Sequence, residues 1–262
     1  MKKYIFGLVL VLINTSVFAQ NPVRTMPNTA FGTGETIKFR VHYGFINAGY
    51  GQLQILPQTE LVNDAECYHI LGTAQSNGTF DNFYRVRDRY ETYLDTKAIL
   101  PQKFVRNVNE GGYLINQNMV FNQAKNTAYC YVKKQNFTTA QFTQDILSAF
   151  FYARASIDIK NLKVGTLYPI PVFLDYQHFA MGVRYIGKVN ISTELGKFRC
   201  LKFTPEVQKG RIFTGDEKMY LYVTDDENKV PILIKASVLV GSIEATTTSL
   251  AGLKYPLSSK IK

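Results

Sequence analysis

The chain has no tryptophan, only three histidines and only three cysteines among 262 residues. His42, His69 and His178 stand alone, with no HxxxH or HxH pair to start a zinc site. Cys67, Cys130 and Cys200 lie too far apart for a CxxC metal or redox motif. Their odd number leaves at least one thiol unpaired unless chains pair, and each sits in a strand-like context as a small buried hydrophobe would. No serine occupies a G-x-S-x-G elbow, and no glycine loop is spaced to cradle phosphate. After residue 20 no apolar run is long enough to cross a bilayer as a helix. The local signatures of metal-dependent, nucleophilic and nucleotide-dependent enzymes are therefore missing. No catalytic residue, metal ligand or cofactor is assigned.

What is present begins with an address. Lys2 and Lys3 precede an almost unbroken apolar run from Tyr4 to Ile13, and Val17-Phe18-Ala19 supplies a small-residue cleavage site. This reads as a secretory signal over 1–19, cut near Ala19, which predicts a periplasmic or secreted protein. The alternative, an uncleaved anchor helix, is disfavoured by the shortness of the run. No cysteine follows the cut, which argues against a lipid anchor.

The remainder is aromatic and basic. There are 17 Tyr and 18 Phe, residues that suit a pleated, half-buried surface. The formal charge is +10, and removing Lys2 and Lys3 leaves +8. Such an excess favours anionic envelope surfaces or glycans, and export sets nucleic acid aside. The plainer reading is that the charge only keeps the protein soluble.

Residues 20–34 are rich in Pro, Asn, Thr and Gly and read as a flexible leader. From Glu35, Ile37, Phe39, Val41 and Tyr43 alternate with Lys38, Arg40 and His42, the period of a half-buried strand. Strand-like pieces follow near 67–74, 83–94, 102–108, 113–121 and 127–133, and again over 167–174, 179–190, 197–205, 217–224, 230–236 and 237–248. Asp95-Thr96-Lys97, Asn109-Glu110-Gly111-Gly112 and the hydrophilic Asp225-Asp226-Glu227-Asn228 read as turns. The last lacks the closing glutamate of a calcium loop. One segment breaks the rhythm. Over 144–155, Ile146, Ala149, Phe150 and Ala153 share a helical face, Thr143 or Asp145 can cap the start, and a strand pair joined at Ser148 is the alternative. The expected fold is all-β: a curved antiparallel sheet or half-open barrel over 35–252, with one helix packed on it and a frayed tail over 253–262. Two β domains meeting near 156–165 are the second option.

Candidate binding residues come from alternation. A strand over 83–95 places Arg85, Arg87, Arg89 and Glu91 on one face, where the arginines could grip an anion or stay solvated beside carboxylates. Tyr84, Asp88 and Tyr90 take the other face. Tyr43, Tyr84 and Tyr90, with Phe45, Tyr50, Tyr113, Phe121, Tyr129, Phe150, Phe151, Tyr220 and Tyr222, either fill a core or line a cavity. Asp88 among aromatics needs a partner. Arg154 closes an apolar helix and needs one too. The two are expected to form one buried polar cluster that clamps helix to sheet.

Several segments together resemble an exported bacterial family, the domain of unknown function 3108 family. They are Val41-His42-Tyr43-Gly44 with Ala48-Gly49; Val86-Arg87-Asp88 with Leu94-Asp95 and Leu100-Pro101; Glu110-Gly111-Gly112-Tyr113; Asp145 through Arg154; Gly196 through Cys200; and Thr224 through Pro231. Many members carry a Trp near the place of Tyr222. The resemblance implies an all-β periplasmic or secreted protein and carries over no catalytic residue.

The expectation for function is a non-catalytic binder or carrier of an apolar or amphiphilic envelope component, a lipid or glycolipid, in a pocket with basic residues at its mouth. The alternative is a structural or protein-interaction module in envelope assembly, with an envelope protein as partner. A third is an enzyme whose site gathers Asp88 with Arg106, Glu110 or His42 from distant strands.

Overall fold

The computed structural model describes residues 24–207, 219–238 and 241–261. The signal over 1–19 and its cleavage site lie outside them. Among the described residues the strands are β1 (Thr36–Tyr43), β2 (Ile46–Val62), β3 (Ala65–Ser76), β4 (Arg87–Asp95), β5 (Pro101–Glu110), β6 (Tyr113–Asn122), β7 (Thr127–Cys130) and β8 (Gln135–Thr138). After the helix α1 (Ile146–Ser156) come β9 (Leu167–Leu174), β10 (Gln177–Thr193), β11 (Gly196–Val207), β12 (Met219–Thr224), β13 (Pro231–Ser237), β14 (Ser242–Ala251) and β15 (Lys260–Ile261). No described helix is long and apolar enough to cross a membrane.

Two antiparallel meanders share one sheet. β1 to β8 follow one another as neighbours, and so do β9 to β14. β1 pairs with β14, from Ile37 opposite Leu250 to Tyr43 opposite Ile243, so the sheet runs unbroken across both halves. The edges β8 and β9 approach each other around α1. The Phe137 ring lies 6.0 Å from Phe173 and 5.1 Å from Tyr176. Gln144 bridges the seam: its N–H donates to Pro171 O and its carbonyl accepts from Phe173 N–H, both at 2.8 Å. The result is the half-open barrel expected from the strand pattern.

Helix α1 forms where the apolar periodicity predicts it, and Asp145 is the cap. Its carboxylate accepts from Leu147 N–H and Ser148 N–H at 2.8 Å, while its own N–H donates to Ser148 Oγ. Thr92 on β4 donates its hydroxyl to the same carboxylate at 2.6 Å, so the cap also ties the helix to the sheet. Leu147 and Phe151 are buried in a cluster with Ile55, Ile70, Leu94, Phe104 and Met119. The face of the sheet that carries these residues is the inner face.

Two expectations are corrected. The leader is not loose at Phe31, which is fully buried against Tyr68 and Phe151, because its ring fills the space beside the helix. The tail does not fray, since Lys260 and Ile261 pair with β11 and Arg199 N–H donates to Ser259 O. The Asp225–Asn228 turn is sequestered at its centre. Asp226 accepts from Thr224 Oγ1, Asn228 N–H and Ser259 N–H, so a hydrophilic sequence is buried with its partners supplied. Cys67, Cys130 and Cys200 are free and buried. Burial pushes the Cys67 and Cys200 thiols up to about 12.

Candidate ligand site

The inner face is defined strand by strand from the helix outward. Thr92 touches the Asp145 cap, so Tyr90 and Asp88 share its side of β4, while Arg87, Arg89 and Glu91 point the other way. Ile70 packs beneath α1, and Gly72, Ala74 and Ser76 continue that line along β3. Opposite them on β2 stand Leu53, Gly51 and Gly49. Gly49 has no room for a side chain: a Cβ there would sit 2.2 Å from Gln75 O. Small residues therefore form a low floor on the inner face beyond the end of the helix.

Over that floor is a cavity of about 430 Å³, walled by Val41, Tyr43, Tyr50, Phe80, Tyr84 and Ile243, with Glu110 at one side. A shallower depression of about 290 Å³ adjoins it and shares Ala74. There Phe39, Leu53, Tyr90 and Ile234 face Ile146 and Leu147 of the helix. Together they make an apolar trough from the helix to the end of the barrel where the β1–β2 and β5–β6 turns lie. Of the expected tyrosines, Tyr43 and Tyr84 meet in the cavity, and Tyr90 lines the neighbouring depression.

The roof comes from the β3–β4 connection. The expected strand over 83–94 starts only at Arg87, because residues 80–82 form a short 3-10 turn whose Phe80 N–H is capped by the Asn77 side chain. Asp81 holds this flap down. It pairs with Arg87 at 2.6 Å and accepts the Ser76 hydroxyl, and these two partners hold its carboxyl down at about 2. Asn77 N–H donates to Ala48 O at 2.9 Å. The Tyr84 ring lies over Gly111, where a Cβ would come within 2.6 Å of it.

The arginines are set apart from this cavity. Arg87 is committed to the flap, Arg89 pairs with Glu91 at 2.7 Å, and both lie on the face opposite the cavity. Arg85 is exposed on the connection. Among the described residues no basic side chain lines the cavity. Within β4, Asp88 and Tyr90 lie on the cavity side and Arg87 and Arg89 on the other, while Tyr84 and Arg85 sit on the connection before the strand. His42 lies apart on β1, where Arg40 donates to it at 3.0 Å.

Asp88 and Glu110 do come together. The β4–β5 ladder ends at Arg89 opposite Asn107 and resumes only in the bridge from Val86 to Glu110. In the gap Asp88 accepts from Asn109 N–H at 3.2 Å and shares a hydrogen bond with Glu110. Burial and the Asp88 charge raise the Glu110 carboxyl above its ordinary value, and Arg106 partly offsets them. Arg106 itself is paired with Asp175 at 2.8 Å, across the seam.

The expected cluster of Asp88 with Arg154 is corrected by the same geometry. Both residues are buried, at 8 % and 3 % exposure, yet they have different partners. Arg154 points to the far side of the helix, where Glu35 receives it through two bonds of 2.5 and 2.9 Å. Glu35, just ahead of β1, carried no local sequence signal. Nor did Phe80, which sits in a polar loop. Among the described residues no group of three His, Cys, Asp or Glu side chains could hold a metal.

Residues 38–248 match the family described as a protein of unknown function, DUF3108. The chain belongs to the DUF3108 family. No curated protein sequence matches it. Among solved structures, a beta-barrel-like protein of the DUF1849 domain family from Brucella abortus superposes with a TM-score of 0.56. It is 8 % identical and the match covers 86 % of this chain and 99 % of that one. A DUF1089 family protein from Pseudomonas aeruginosa gives a TM-score of 0.40 at 12 % identity, over 72 % of this chain and 90 % of that one. The first likeness shows the fold: a barrel-like antiparallel sheet.

The segments that carry the resemblance take up positions in this fold. Val41 and Tyr43, Ala48 and Gly49, Val86, and Glu110 all border the cavity, so three separate segments converge there. The segments ending at Arg154 and spanning Thr224–Pro231 meet elsewhere: Arg154 donates to Asn228 O at 2.9 and 3.1 Å.

Proposed function

We propose that this DUF3108 protein is an exported, non-catalytic binding protein that takes the apolar portion of an amphiphilic envelope component, a lipid or glycolipid, into the trough on its inner face. The observation that carries this reading is the cavity of about 430 Å³ walled by aromatic and aliphatic side chains, which shares Ala74 with the depression under α1. Pockets for apolar ligands are concave, largely preformed and lined in this way, with few polar groups. Among the described residues Glu110 is the single carboxyl on its wall, and its raised proton affinity favours the uncharged form that an acyl chain tolerates. The walls do not supply the basic mouth expected from the sequence, so recognition rests on the chain and not on an anionic headgroup.

The test is native mass spectrometry of the protein purified from its own envelope, beside an Ala74→Trp variant that blocks the junction of the two hollows. A lipid-sized adduct on the wild type and none on Ala74→Trp supports the reading. A bare wild-type mass, with no binding of the apolar probe N-phenylnaphthylamine, overturns it.

A further inference from the structure

The end of the barrel that opens onto the cavity carries the largest exposed aromatic side chains in its half of the sheet. Phe45, at the tip of the β1–β2 turn, is fully exposed. Phe83 on the flap is 83 % exposed, and Tyr113 and Leu114, just after the β5–β6 turn, are 67 % and 70 % exposed. In an antiparallel meander the first, third and fifth connections lie at the same end, so these tips form one rim. Hydrogen bonds link the three: Asn77 N–H on the flap donates to Ala48 O, and Gly111 N–H in the β5–β6 turn donates to Arg85 O at 2.8 Å. Tyr50 and Tyr84 are half exposed between rim and cavity.

Isolated exposed apolar residues are ordinary, but a cluster of large ones around a concave opening marks an interaction surface. Here they protrude separately, on different turns, with the cavity mouth between them. A protein partner would need a matching pit for each tip. A fluid lipid interface receives them all, and aromatic rings are favoured at headgroup depth. Arg85 is exposed in the flap beside Phe83 and Tyr84, at the level where a cation meets lipid phosphates. The formal charge of +10, or +8 without Lys2 and Lys3, draws the protein to an anionic surface.

We infer that this rim docks on an anionic phospholipid surface, seating Phe45, Phe83, Tyr113 and Leu114 in the interface so that the cavity opens toward the bilayer. The inference goes beyond binding in the cavity and is tested apart from it.

The absence of tryptophan makes the experiment direct. Phe45→Trp places a single indole at the rim of the full chain. With vesicles of phosphatidylethanolamine and phosphatidylglycerol its emission should shift to the blue, and brominated acyl chains should quench it. Wild-type protein should co-sediment with these vesicles. A Phe45→Ser/Phe83→Ser double variant should bind them at least about tenfold more weakly, since the apolar contribution scales with the area buried in the interface. The same variant should keep its melting temperature and its N-phenylnaphthylamine affinity, because both rings face solvent. Indole emission of the Phe45→Trp variant that vesicles leave unshifted overturns the inference. So does vesicle binding that the double variant retains in full, which would be adsorption by general charge. Failure of the probe to bind either protein would count against the cavity reading and leave rim docking to the vesicle result.

Discussion

Arg154 and Glu35 form a bidentate ion pair whose side chains are each 2 % exposed. Arg154 is also bonded to Asn228 O, and Ala30 O lies 3.4 Å from its guanidinium, which is stacked 5.3 Å from the Phe31 ring. One guanidinium thus joins the last turn of the helix, the segment before β1 and the β12–β13 turn.

Removing Glu35 leaves that cation buried without a counter-charge. Glu35→Ala should destabilise the protein by about 3–5 kcal/mol. Asp88→Ala, which removes an acceptor for one main-chain N–H, should cost about 1–3 kcal/mol. Urea unfolding of both variants checks the order. An Asp88→Ala loss as large as that of Glu35→Ala would contradict the assignment of partners.

Burial pushes the Asp145 carboxyl up to about 6, against the hydrogen bonds from Thr92, Ser148 and Leu147. Its folded value lies above the ordinary 3.8, so the folded state holds a proton that the unfolded chain has released. The resulting stabilisation is complete below pH ~4 and is lost as pH rises to ~6, about 3 kcal/mol in all. Asp145→Asn keeps the capping acceptor and removes the titration. The difference in unfolding free energy between wild type and variant should change across that window and be flat above it.

Glu110 should make probe binding depend on pH. Its neutral form suits an apolar occupant, and burial and Asp88 favour that form while Arg106 opposes it. N-phenylnaphthylamine affinity should therefore fall as pH rises through the raised pKa of Glu110, and Glu110→Gln should flatten the profile. A profile unchanged by Glu110→Gln would remove Glu110 from the site.

The floor of the cavity depends on glycine at one position and not at its neighbour. At Gly49 an added Cβ meets the Gln75 carbonyl and Ser76 Cα at 2.2 and 2.8 Å, both main chain. Gly49→Ala should cost about 1–3 kcal/mol or more through forced separation of β2 and β3. At Gly51 the nearest atoms are Thr73 O at 3.5 Å and Phe39 at 3.7 Å, ordinary contact. Gly51→Ala should be close to neutral in thermal unfolding.

The amino-acid sequence by itself determined most of the elements, though not the turn at 80–82 or β8. Alternation in Ile37–Tyr43, paired glycines at 111 and 112 and a largely apolar run behind Asp145 are local signals, and each became the strand, turn or capped helix it predicted. Alternation also separated Arg87 and Arg89 from Asp88 and Tyr90, because successive side chains on a strand must diverge. Partner choice was decided only by the tertiary structure. Asp88 and Arg154 both needed company, but register and curvature turned Arg154 toward Glu35, a residue 119 positions away. Phe80 looked like loop until Asp81 and Arg87 pinned it as a roof. Burial of the leader and of the Asp225–Asn228 turn was equally hidden, since polar composition records exposure only when no neighbour supplies the missing hydrogen bonds.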